Sequence, residues 1–141
     1  MQLKVYQPAN PDFDLIGGAL AIDRLVETFY RNMESRPEAR NISAMHAADL
    51  EPAKAILKLY LREWLGGPAE YSKQRGHPRI RQRHIRFPIG PAERDAWLAC
   101  MNAALDEVVP EPGPRKKLKG AFHKLADWLR NDLENEHDKH R

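Results

Sequence analysis

His84 is the side chain most able to carry chemistry in this sequence. It lies in Arg81-Gln82-Arg83-His84-Ile85-Arg86-Phe87-Pro88-Ile89-Gly90, just ahead of a Phe-Pro pair. Proline has no backbone N–H to donate and disfavours helix in the residue before it, so a short helix carrying His84 must end there. An imidazole on such a last turn can ligate a metal or macrocycle, act as acid or base, or cap the helix C-terminus as a cation. By residue type alone, the cap or a plain surface position is the commoner use. The other polar tips near apolar stripes belong to Tyr30, Tyr60, Trp64 and Trp97, with His46 in a connector. Taken singly, a Tyr or Trp on a helix stripe is ordinarily core, its polar tip on a backbone carbonyl. His123, His137 and His140 read as surface residues, and His77 in Gly76-His77-Pro78 reads as a loop-fixing residue.

Taken jointly, one imidazole from the short segment faces the Tyr30 O–H, the Trp97 N–H and the imidazole of His46. A lone histidine is a poor zinc site, because zinc needs several protein ligands. A haem iron needs only one, since the macrocycle supplies the rest. The sequence has no Walker-type loop, no His-Glu-x-x-His, no Cys-x-x-Cys and no calcium loop.

The elements that must position these groups are helical almost throughout. Leu20, Ile22, Leu25, Val26, Phe29, Tyr30 and Met33 recur at three- and four-residue intervals, with Asp14 to Gly18 as a turn or short lead-in helix. Arg36-Pro37-Glu38 breaks that helix, and residues 40–49 read as a connector. A second helix from about Glu51 carries Ala53, Ile56, Leu57, Tyr60, Leu61, Trp64 and Leu65, and Gly66-Gly67-Pro68 ends it. Residues 69–90 read as irregular with two short helical turns. Pro91 suits the first turn of a third helix with Trp97, Cys100, Met101, Ala104, Leu105 and Val108 on its stripe. Pro110 to Pro114 reads as a rigid loop before a fourth helix with Leu118, Phe122, Leu125, Ala126, Leu129 and Leu133. There is no strand-like alternation and no internal repeat. The fold class is all-α, four main helices in two antiparallel pairs.

With 141 residues, 42% of them hydrophobic and 30% charged, the chain suits one soluble domain with room for a small-molecule pocket. No apolar run is long enough to span a bilayer, and the N-terminus lacks a secretion-signal core. The expected location is cytoplasmic. Cys100 is the only cysteine, so no internal disulfide is possible. The net charge is +3, but Lys73, Arg75, Arg79, Arg81, Arg83 and Arg86 fall between Tyr71 and Ala92 with no acid among them. That block can meet solvent, a cofactor carboxylate, or nucleic acid phosphates. A small basic nucleic-acid-binding module is the alternative reading. It is weakened because no helix carries the basic residues as one stripe and no helix-turn-helix spacing is evident.

Trp64-Leu65-Gly66-Gly67-Pro68, Tyr71, Gly76 to His84, Phe87-Pro88-Ile89 and Ala92 to Met101, with Ile16-Gly17-Gly18 and Phe29-Tyr30, together resemble the group II truncated haemoglobins. The resemblance covers about residues 13–133, leaving 1–12 as an N-terminal extension and 134–141 as a charged tail. It implies a truncated globin-like two-over-two helical sandwich holding haem b. His84 then falls on the proximal iron ligand, Tyr30 on the distal tyrosine, Trp97 on the tryptophan typical of this group, and His46 on the connector position beside the distal pocket. Ala53 and Leu57 fall on the distal helix, facing the iron. Tyr71, Arg81, Arg83, Phe87 and Met101 are the remaining haem-contact candidates. One departure is Ile56, where many members carry a Lys or Arg that reaches a haem propionate. Arg81, Arg83 or Tyr71 are the candidates to replace it. The implied ligands are O2, NO and also peroxide or sulfide, with a reductase as protein partner and no membrane. Strong hydrogen-bond donors around the gas favour redox use, such as NO oxidation or peroxide chemistry, over transport.

Overall fold

The computed structural model describes residues 12–77, 84 and 89–129. In chain order the helices are α1 (Asp12–Leu15), α2 (Gly18–Ser35), a 3-10 turn (Pro37–Ala39), α3 (Arg40–Ala44), α4 (Glu51–Trp64), α5 (Glu70–Arg75), α6 (Pro91–Val108) and α7 (Pro112–Leu129). No strand occurs among the described residues. His84 has helical backbone. Of the expected N-terminal extension only Asp12 is described, and the tail 134–141 lies outside the described residues.

Helix α2 is the central element. Its buried residues Ile22, Leu25, Val26, Phe29, Tyr30 and Met33 follow the spacing of one helical face, and it packs on both α4 and α6. Helix α6 packs in turn on α7. The result is α2 with α4 over α6 with α7, the two-over-two sandwich. Leu61, Leu65, Met101, Leu105, Leu118 and Phe122 are fully buried between these layers.

The end of α4 shows why the Gly-Gly pair is there. Gly66 takes φ +100°, a left-handed conformation that glycine adopts without strain. Its N–H donates to the Glu63 carbonyl at 3.0 Å, and the Gly67 N–H donates to the Arg62 carbonyl at 2.7 Å. This is a Schellman motif, which satisfies carbonyls the helix would otherwise leave open. A Cβ on Gly67 would sit 2.6 Å from the Phe13 ring and 2.8 Å from the Arg62 carbonyl oxygen. The Phe13 N–H donates to the Leu65 carbonyl at 2.7 Å, so α1 docks on the end of α4. Buried Asp12 adds an ion pair to Lys117 of α7 at 3.1 Å.

Two segments differ from the sequence reading. The connector at 40–49 contains α3, preceded by the 3-10 turn, because Ala39 and Ile42 are buried in the core and pin a helical path. The Pro110–Pro114 segment is not all loop, since α7 begins at Pro112. Proline is tolerated in a first helical turn, where the missing N–H would have no intrahelical partner. The last helix therefore starts well before its apolar stripe.

Candidate functional site

Residues from five helices and the segment between α5 and α6 converge on one cavity of about 270 Å³. Helix α2 supplies Phe29 and Tyr30, α3 and the turn after it supply Ile42, Met45 and His46, and α4 supplies Leu57, Tyr60 and Leu61. His84 and Ile89 enter from the segment between α5 and α6. Glu93, Arg94 and Trp97 come from α6, and Phe122, Leu125, Ala126 and Leu129 from α7. The wall is mostly aliphatic and aromatic, with a few polar tips, the composition of a cofactor site.

Local folding explains several placements. Pro91 opens α6, and the Gly90 N–H donates to the Glu93 carboxylate at 2.9 Å, closing the first turn over the cavity edge. Trp97 follows Arg94 on the same helical face. Its ring contacts Phe29 at 5.1 Å and Phe122 at 5.8 Å between centroids, so the indole is wedged between α2 and α7. Glu63 accepts hydrogen bonds from the Ser72 N–H and Oγ, clamping α5 against α4. This seats buried Tyr71 edge-on to Tyr60, with centroids 5.8 Å apart.

Tyr30 is only 5% exposed, and among the described residues its hydroxyl has no protein hydrogen-bond partner. Burial pushes its pKa up from 10.0 to about 12, with Lys54 opposing weakly. The group is therefore a neutral O–H. Its oxygen is not among the enclosed unpartnered side-chain atoms, and the residue lines the cavity, so a group entering there can accept from it. The Trp97 indole N–H is likewise without a described protein partner. His46 sits edge-on to Tyr30, with ring centroids 5.6 Å apart. Its Nδ1 lies 2.9 Å from the Ile42 carbonyl oxygen.

Among the described residues no cluster of three or more His, Cys, Asp or Glu side chains could hold a metal ion unaided. The cavity instead offers two imidazoles from separate segments, His84 and His46, with Tyr30 and Trp97 also on its wall. A flat apolar macrocycle needing one axial protein ligand fits that donor set, and a bare zinc ion does not.

Of the other predicted contacts, Leu57 lines the cavity. Ala53, half-buried against the core, and Tyr71 and Met101, both buried, are not among its lining residues. Arg81, Arg83 and Phe87 lie outside the described residues. So does most of the basic block, of which Lys73 and Arg75 are on α5. Ile56 is half-buried, and the flanking Lys54 and Lys58 both reach back to Glu27 of α2, at 3.0 and 2.9 Å. The sequence reading gave no site role to Tyr60, Glu93, Arg94 or Phe122. Arg94 is the one Lys or Arg among the described lining residues, and it bonds Asp127 at 2.7 Å and Asp95 at 3.1 Å. Its spacing from Trp97 was the available signal.

Comparison with known proteins agrees with this geometry. The family model for bacterial-like globins matches residues 12–131. The Group 2 truncated hemoglobin YjbI of Bacillus subtilis is 37% identical over 130 residues, covering 92% of this chain and 96% of that protein. The crystal structure of a hemoglobin from Chloroflexus aurantiacus superposes with a TM-score of 0.78 at 45% identity, covering 86% of this chain and 98% of that one. The group II 2-on-2 hemoglobin from Agrobacterium tumefaciens gives a TM-score of 0.82 at 37% identity, covering 93% and 98%.

Proposed function

This chain belongs to the bacterial-like globin family, among the group II truncated haemoglobins, and from that premise we propose a specific site and use for it. Membership implies a haem cofactor and binding of small gases such as O2. Beyond that, the cofactor is haem b, His84 is its proximal ligand, and Tyr30, Trp97 and His46 form the wall facing the gas. When bound, the haem would supply an iron able to take a diatomic ligand, with His84 holding it from the protein.

The observation that carries this reading is the Tyr30 hydroxyl, which belongs to a buried ring on the cavity wall and has no protein hydrogen-bond partner among the described residues. Such a group is set to donate to something that enters the cavity. The Trp97 N–H is placed to do the same. A hydrogen bond to a charged acceptor contributes about 1.5–3 kcal/mol. Two such bonds, if additive, slow the escape of a gas carrying partial negative charge by a factor on the order of 10²–10⁴. A site that holds O2 this firmly suits redox turnover, such as NO oxidation or peroxide chemistry, more than transport. It then requires a reductase as partner. A cytoplasmic setting is consistent with the absence of a helix long and apolar enough to cross a membrane among the described residues. Arg94 is the described cation best placed to meet a haem carboxylate, with Arg81 and Arg83 as further candidates.

The test is spectroscopic. The purified protein should be red, and ferrous His84→Gly should lose the five-coordinate spectrum and regain it with added imidazole. A colourless protein whose DNA binding falls steeply with salt would instead favour the nucleic-acid reading.

A further inference from the structure

Two paths of aromatic rings leave the cavity and meet at Trp64. On the first, the Trp97 ring lies 5.8 Å from Phe122, and Phe122 lies 5.0 Å from Trp64, between centroids. On the second, Tyr60 of the cavity wall stacks on Trp64 at 6.3 Å, with the rings within 17° of parallel. Residues 60 and 64 are one helical turn apart on α4, which places both rings on the same face. Trp64 itself does not line the cavity. It packs against the core from outside and is half-buried.

Aliphatic side chains would fill these places equally well, but they cannot give up an electron. Indole and phenol rings can, and contact between their π systems lets the resulting electron hole move from ring to ring. The members of the two paths differ in how well they can keep it. Phe122, a plain benzene ring, resists oxidation and only couples its neighbours. A phenol must release its proton along with the electron, and burial holds the Tyr60 proton hard, with the pKa pushed up to about 12. Tyr71, edge-on to Tyr60, is 2% exposed and offers no outlet. An indole can carry the positive charge until its N–H proton leaves, and Trp64 is the member that meets solvent outside the cavity.

We infer that Trp64 is a redox site on the protein surface, where oxidising equivalents produced by peroxide in the cavity are handed to external one-electron donors. The inference rests on the peroxide reading above. Hydrogen peroxide takes up two electrons and two protons and leaves as two water molecules. Trp64 supplies one electron at a time and passes its N–H proton to solvent, which leaves a neutral indolyl radical. The donor returns an electron, water returns the proton, and the indole is restored. Two such cycles balance one peroxide. The donor class follows from the location: organic reductants too bulky to reach the cavity can still reach Trp64.

The test locates the radical. Haem-loaded protein is mixed with hydrogen peroxide and a nitroso spin trap, and the adduct is placed by peptide mass spectrometry. It should sit on Trp64. In Trp64→Phe, which keeps a ring against Tyr60 and Phe122, the adduct should move back to Trp97 or Tyr60. Peroxide-driven oxidation of the bulky dye ABTS should fall severalfold in that variant, while CO association is unchanged because position 64 is off the cavity wall. A wild-type adduct on the more exposed Trp128 in place of Trp64 overturns the inference, as does an unchanged ABTS rate in Trp64→Phe. A wild-type protein that binds CO but consumes no peroxide overturns the peroxide reading, and this inference with it. Failure to form a CO complex at all overturns the haem reading beneath both.

Discussion

Removing the Tyr30 hydroxyl should release bound O2 faster and leave the empty protein as stable as before. In Tyr30→Phe the ring remains, with its neighbours Phe29 at 5.0 Å and His46 at 5.6 Å, so packing changes little. The lost group is a neutral O–H, kept so by a pKa of about 12. Its bond to a partly anionic gas contributes about 1.5–3 kcal/mol, so O2 dissociation should quicken by roughly 10- to 150-fold. The stability effect has the opposite character. A buried tyrosine bonded to a protein acceptor loses about 1 kcal/mol or more on conversion to Phe, because the acceptor is orphaned. Here no described protein acceptor exists, so the apoprotein should change by no more than about 0.5 kcal/mol. Stopped-flow displacement of O2 by CO reads the first quantity, and urea unfolding of the apoprotein reads the second. Unchanged O2 release together with a destabilised apoprotein would mean that Tyr30 is a core residue and the argument for the distal wall is wrong.

Alkaline pH should weaken the fold through two tyrosines. Burial raises both Tyr30 and Tyr60 from 10.0 to about 12, so the folded state holds these protons harder than the unfolded chain. Their contribution is full below about pH 10 and is lost as pH rises to about 12, by up to about 3 kcal/mol each. Urea midpoints across that window check it, and Tyr60→Phe should flatten the slope. Gly67→Ala should destabilise by about 1–3 kcal/mol, since its Cβ meets the Phe13 ring at 2.6 Å and the Arg62 carbonyl at 2.8 Å. Phe13→Leu should restore only part of this loss in thermal melts, because the carbonyl clash persists. Arg94→Met should speed haem loss to an apoglobin acceptor while changing apoprotein stability by less than about 1 kcal/mol, as its Asp127 partner is substantially exposed. Unaltered haem loss would assign the carboxylate contact to another cation.

The apolar stripe of α2 was legible because its burial, Leu20 excepted, follows the helical period, and Tyr30 sits on it; in α4 only Leu61 is buried, and Trp97 of α6 is half-buried at the cavity. Residues 40–44 were not legible. A five-residue helix is too short to show periodicity, and only its burial on the core makes it helical. Pro112 misled for a different reason, since one residue type serves both loops and first helical turns. His46 was visible as a candidate, but the direction of its hydrogen bond was not. That depends on where the Ile42 carbonyl falls, and residue types do not record it. Arg94 escaped notice because its importance comes from being the cation on the described wall, a property of the assembled cavity.

The junction of Phe13 with Leu65 also orders events during synthesis. Phe13 is made early, yet its backbone partner and the glycine its ring covers arrive only after α2, α3 and α4 have been translated. The first helix, at four residues, is too short to hold itself together meanwhile. On the ribosome α1 must therefore wait as loose chain and set only when the Gly66-Gly67 turn emerges.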